Sequence, residues 1–169
     1  MPVSEKPVFF AQHMYTKEEK KALVKSFWIH FDNYCNLQPE LSWKKKKWVL
    51  HRTGIKNIDL KFEAGRKHVA VMLELNHKNE DQRLEYYERL LQYRVILEQG
   101  LEGELIWELA YTRPMGEEVS RIFTSLRGVD IHRQSDWHAM FQFMAEKMTL
   151  LQHNFLEIAD FIEDENMHT

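Results

Sequence analysis

Val69-Ala70-Val71-Met72-Leu73-Glu74-Leu75 is the stretch that most constrains the fold. It is almost continuously apolar, too short for a buried helix, and rich in strand-forming residues. Such a run reads as a central strand buried on both faces, which needs a neighbouring strand on each side and covering layers above and below. The segment before it, Asn57 to Glu63, alternates. Ile58, Leu60 and Phe62 fall on one side and Asn57, Asp59, Lys61 and Glu63 on the other, a half-buried pattern. Ala64-Gly65-Arg66-Lys67 between them reads as a hairpin turn.

The flanks are helical. Thr16 followed by Glu19 is a capping box, and the helix it opens carries Leu23, Val24, Phe27, Trp28, Phe31 and Tyr34 on one face. It should stop before Pro39. Trp48 to Arg52 reads as a short first strand. Asn79 caps a second helix, with Gln82 at the capping-box position, running to about Gly100. Glu104–Tyr111 and Glu118–Leu126 read as further strands. A last helix spans about Asp136 to Ile162. In it Phe141, Met144, Met148, Leu151, Phe155, Ile158 and Ile162 form a heptad seam. At 1.5 Å per residue that helix would be roughly 40 Å long. The seam can close over its own sheet, the preferred reading, or pair two copies as a homodimer.

The expected fold is therefore α+β in the order α-β-β-β-α-β-β-α, with a mixed or antiparallel sheet of about five strands. Residues 1–13 are expected to be a flexible extension and residues 14–169 one domain, with Met14 as an alternative start. The chain has 169 residues and a formal net charge of -3, which argues against a dedicated, strongly basic nucleic-acid binder. Its one cysteine, Cys35, allows neither an intrachain disulfide nor a thiolate zinc site, and fits a cytoplasmic location. Cys35 follows an aromatic helix face and reads as packed, not nucleophilic. No secretion signal and no membrane-spanning run is visible.

Asp59 and Glu74 are the residues most suggestive of chemistry. If their strands pair as a hairpin, the two carboxylates approach each other, although counting outward from Ala64–Lys67 puts them out of alignment unless the turn is longer or bulged. Two such carboxylates suit Mg²⁺ or Mn²⁺, which can activate water beside a scissile phosphate. Lys61 shares the face of Asp59 and could assist, and Lys78 is a weaker candidate. Trp43-Lys44-Lys45-Lys46-Lys47-Trp48 is the clearest basic cluster, able to meet phosphates and stack on bases, with Arg66 and Lys67 extending it. The plainer reading, a solvated lysine loop with core tryptophans, is preferred. His51, His68 and His77 lie on or beside strands and read as structural.

The element order, with Asp59 on one strand and Glu74 on the next, resembles the PD-(D/E)XK nuclease-like superfamily over roughly residues 16–111. The resemblance implies Asp59, Glu74 and a lysine as the catalytic, metal-binding set. Here Asn76 stands where that superfamily has Lys, and Asn57-Ile58 replaces the Pro before the Asp. Gln82 and Tyr86 resemble a Gln-x-x-x-Tyr element of some members. A second resemblance covers more of the chain. Glu104-Leu105-Ile106-Trp107-Glu108-Leu109, then Val119-Ser120-Arg121-Ile122, then a Trp-containing C-terminal helix resemble an uncharacterised bacterial family of domains of unknown function, often fused to the end of larger proteins. It implies a bacterial origin and no established activity. The reading that weighs these together is a non-catalytic or degenerate nuclease-like binding or assembly module. The alternative is a Mg²⁺-dependent phosphodiesterase acting on DNA or RNA.

Overall fold

The computed structural model describes residues 15–38 and 51–167. The elements are α1 (Lys17–Asn36), β1 (His51–Arg52), β2 (Ile58–Ala64), β3 (His68–Leu75), α2 (Glu80–Gln92), α3 (Arg94–Leu97), β4 (Ile106–Thr112), β5 (Glu118–Arg127) and α4 (Trp137–Met167). The fold is α+β, as the sequence patterns require. The strands form one sheet in the order β1-β2-β3-β5-β4, and every neighbouring pair is antiparallel. The apolar run of β3 accordingly lies in the middle, with β2 on one side and β5 on the other. The strand that follows the helices, β4, does not pair with β3. It sits at the sheet edge, and β5 takes the place beside β3.

The alternation in β2 and β3 divides the sheet into two faces. Ile58, Leu60, Val69, Val71, Leu73, Leu75 and Ile122 join one hydrophobic core with the helices. Across that face runs α4. Its seam from Phe141 to Ile162 is buried at every position, so the stripe packs inside the chain. Packed beside it is α1, through an aromatic cluster in which Phe27 meets Trp137 edge-on at 5.4 Å and Phe31 meets Phe141 at 5.6 Å. The capping box that opens α1 is complete: Glu19 N–H donates to Thr16 Oγ1 at 3.1 Å, and Thr16 N–H donates to Glu19 Oε1 at 3.0 Å. Cys35 is buried in this layer, and burial, with Asp32 nearby, pushes its thiol up to about 12. It is a packing residue, as expected.

Three boundaries differ from those read off the sequence. First, the hairpin turn lies one residue later. Ala64 pairs with Val69, and Gly65–His68 makes the turn, closed by Gly65 N–H donating to the His68 carbonyl at 2.9 Å. That shift brings Asp59 directly opposite Glu74 with no bulge. Second, the second helix stops at Gln92, well short of Gly100. Neither Gly nor Pro marks the break. Tyr93 leaves helical dihedrals where its ring stacks on Phe161 of α4 at 5.7 Å, so tertiary packing overrides the local pattern. Asn154 of α4 then donates to the Leu97 and Gln99 carbonyls, and the chain turns at Gly100 with φ +76°. Third, α4 begins at Trp137 and continues to Met167.

The seam supplies a direct check of this packing. Phe155 is fully buried at its centre, so Phe155→Ala is expected to cost about 3–5 kcal/mol in urea unfolding. The midpoint of the parent is expected to be independent of protein concentration.

Candidate functional site

The second face of the sheet carries the polar side chains. A half-buried strand puts residues i and i+2 on one side, so Asp59, Lys61 and Glu63 of β2 share that face with Glu74 of β3 and Arg121 of β5. Register makes the arrangement tight. Asp59 is opposite Glu74, and Glu74 is opposite Arg121.

Glu74 is 4% exposed. A carboxylate withdrawn from water that far needs compensating partners, and it has three. Lys61 Nζ donates to Glu74 Oε1 at 2.8 Å, Asn76 Nδ2 donates to the same oxygen at 3.1 Å, and Arg113 donates to it as well. Burial alone would raise the Glu74 pKa. The bonds from Lys61, Asn76 and Arg113 outweigh it and hold the carboxyl below its ordinary value. The Asn76 amide also donates to Asp59 Oδ2 at 2.9 Å, so one nitrogen bridges the two carboxylates.

Around this centre lies a cleft of about 250 Å³, with Lys61, Glu63, Glu74, Tyr111, Arg113 and Arg121 in its walls. Arg121 donates to Glu108 Oε1 through Nε at 3.0 Å and Nη2 at 2.7 Å, and stacks over Tyr111 at 3.5 Å from the ring centre. Arg113 also pairs with Glu117 at 3.1 Å. In the walls themselves three cations, Lys61, Arg113 and Arg121, face two carboxylates, Glu63 and Glu74, and Asp59, Glu108 and Glu117 add negative charge just outside.

The structure thus brings Asp59, Lys61, Glu74 and Asn76 together. Lys78 is not among them; it lines a separate cleft of about 340 Å³ with His77, Arg83 and Glu118. His68 bonds Glu63 at 2.7 Å. Trp43 and Lys44–Lys47 lie outside the described residues, as does the extension ahead of residue 15. The Gln82 and Tyr86 element separates: Gln82 N–H serves the Asn79 cap, whereas Tyr86 stacks on His77 at 4.7 Å. Sequence reasoning missed Tyr111, Arg113 and Arg121. They reach the cleft through the β4–β5 hairpin, whose register no local pattern announces.

A family model for a domain of unknown function, DUF4268, matches residues 23–159. The chain belongs to that family. The match spans β1 to β5 and most of α4, so the DUF4268 fold includes the whole cleft. No curated protein and no solved structure matches the chain. Among the described residues no three His, Cys, Asp or Glu side chains are grouped to hold a metal, and no helix is long and apolar enough to cross a membrane.

His77 provides a pH test of the local packing. It is 4% exposed, and among the described residues neither ring nitrogen has a hydrogen-bond partner. Burial, and then the nearby Arg83 charge, lower its pKa from 6.5. A folded-state pKa below the unfolded one means that the unfolded chain takes up the proton first. Stability is therefore full above pH 6.5 and falls as the pH drops below it. His77→Phe is expected to flatten that part of the stability-versus-pH curve relative to the parent. Equal slopes would show that the buried imidazole is not responsible.

Proposed function

We propose that the cleft around Glu74 is a site for metal-assisted phosphodiester chemistry on nucleic acid, with Asp59 and Glu74 as ligands of Mg²⁺. The observation that carries this reading is the convergence of Asp59, Lys61 and Glu74 on one face, with a single amide nitrogen within bonding distance of both carboxylates. The donor set fits a hard cation. Two neighbouring carboxylates match Mg²⁺, which is often held by one or two carboxylates and completes its shell with water and substrate phosphate. Bound there, the ion would supply Lewis-acid activation of water.

The chain's own residues supply the remaining functions. Lys61 stands beside Glu74 and offsets charge at a bound phosphate. Arg113 presents a planar fork suited to two phosphate oxygens. The lysines at 44–47, with Trp43, are assigned to holding the strand through phosphate contact and base stacking.

A second reading, a binding module without catalysis, is favoured by Asn76 and by the Arg113–Glu74 contact. Together with Lys61 they satisfy Glu74 from within the protein, so the fold has no electrostatic need of a metal. The heptad seam itself offers no assembly surface, because it is buried within the chain.

The experiment is cleavage of single- and double-stranded DNA and RNA oligonucleotides with Mg²⁺ or Mn²⁺. Cleavage is expected in the parent, falling on the order of 100-fold or more in Asp59→Ala and Glu74→Ala. A parent that does not cleave, yet binds oligonucleotide equally well with and without metal, would establish the second reading instead.

A further inference from the structure

Between Glu108 and Tyr111 the β4–β5 ladder slips by one residue. Glu108 pairs with Arg121, but Tyr111 pairs with Val119, so β4 holds one residue more than β5 over the same length. An extra residue is a β-bulge, and because side chains alternate, it reverses the face of everything beyond it. Without the bulge, Tyr111 and Arg113 would point to the helix-covered face, opposite to Glu108. With it, they share the face of Glu108, Arg121 and Glu74.

The bulge is held from the other side of the sheet. The Leu109 carbonyl, at the bulge, accepts from Ser120 Oγ at 2.6 Å and from Arg83 Nη1 at 2.9 Å. Arg83 Nη1 also donates to Ser120 Oγ at 2.9 Å. Both side chains are buried, and Arg83 is anchored in turn by Glu118 at 2.5 Å. A guanidinium at 2% exposure, shared between the bulge carbonyl, Ser120 and Glu118, is a costly feature for a surface hairpin to carry.

We propose that Arg83 and Ser120 are positioning residues: they pin the bulge at Leu109–Ala110, and the bulge delivers Arg113 to Glu74. This deepens the reading of the cleft as a working site, since it explains how a residue outside β2 and β3 enters it. Neither residue touches the cleft itself.

The test is a double-mutant cycle between Glu74→Gln and Arg113→Ala, read by urea unfolding, in the parent and again in Ser120→Ala. It uses neither metal nor nucleic acid, so it stands apart from the cleavage assay. A favourable Glu74–Arg113 coupling is expected in the parent and its loss in Ser120→Ala. A merely structural Ser120 would lower stability in all members of the cycle alike and leave the coupling intact. That outcome overturns the proposal, as would the absence of coupling in the parent. Deletion of Ala110, which restores an even register, is expected to abolish the coupling as Ser120→Ala does. Arg83→Gln is the harsher variant, and Ser120→Ala keeps the question answerable if it does not fold.

Discussion

The burial of Glu74 is the constraint around which the polar face is built. β3 is central because its sequence is apolar, and a central strand takes its acid out of water along with its leucines. A buried carboxylate without partners would be expelled or neutralised. Lys61, Asn76 and Arg113 prevent that, each from a different place in the chain: β2, the end of β3, and the β4–β5 hairpin. The three bonds therefore couple the position of the hairpin to the charge state of one residue.

Much of this was legible in sequence because it depends on alternation. The faces of β2 and β3, the capping box of α1, the N-cap of α2 and the seam of α4 follow from spacing alone. So does the sharing of one side by Asp59 and Lys61, since i and i+2 cannot separate in a regular strand. What was not legible depends on register. The hairpin turn moves by one residue because Ala64 continues the ladder, and that shift decides whether Asp59 meets Glu74. The break at Tyr93 answers to a ring of α4 far along the chain. The bulge in β4 carries no glycine or proline signal, yet it alone places Tyr111 and Arg113. Residues that enter a site through irregularity are the ones a periodic reading misses.

Membership of DUF4268 sets the fold region and assigns no activity. The nuclease-like resemblance rests on element order and on the Asp59/Glu74 pair. The site differs from that pattern at Asn76, whose amide sits where a lysine is expected, while Lys61 supplies a cation from the neighbouring strand. Lys61 thus places a cation on the face of the two carboxylates from β2.

The measurement that bears most directly on the central claim is anomalous diffraction from crystals soaked in Mn²⁺. The account predicts a single strong peak shared by the Asp59 and Glu74 carboxylates, at roughly 2.0–2.6 Å from an oxygen of each, with the Asn76 amide displaced from between them. Crystals with no peak there and with Asn76 still bridging the two acids would contradict it.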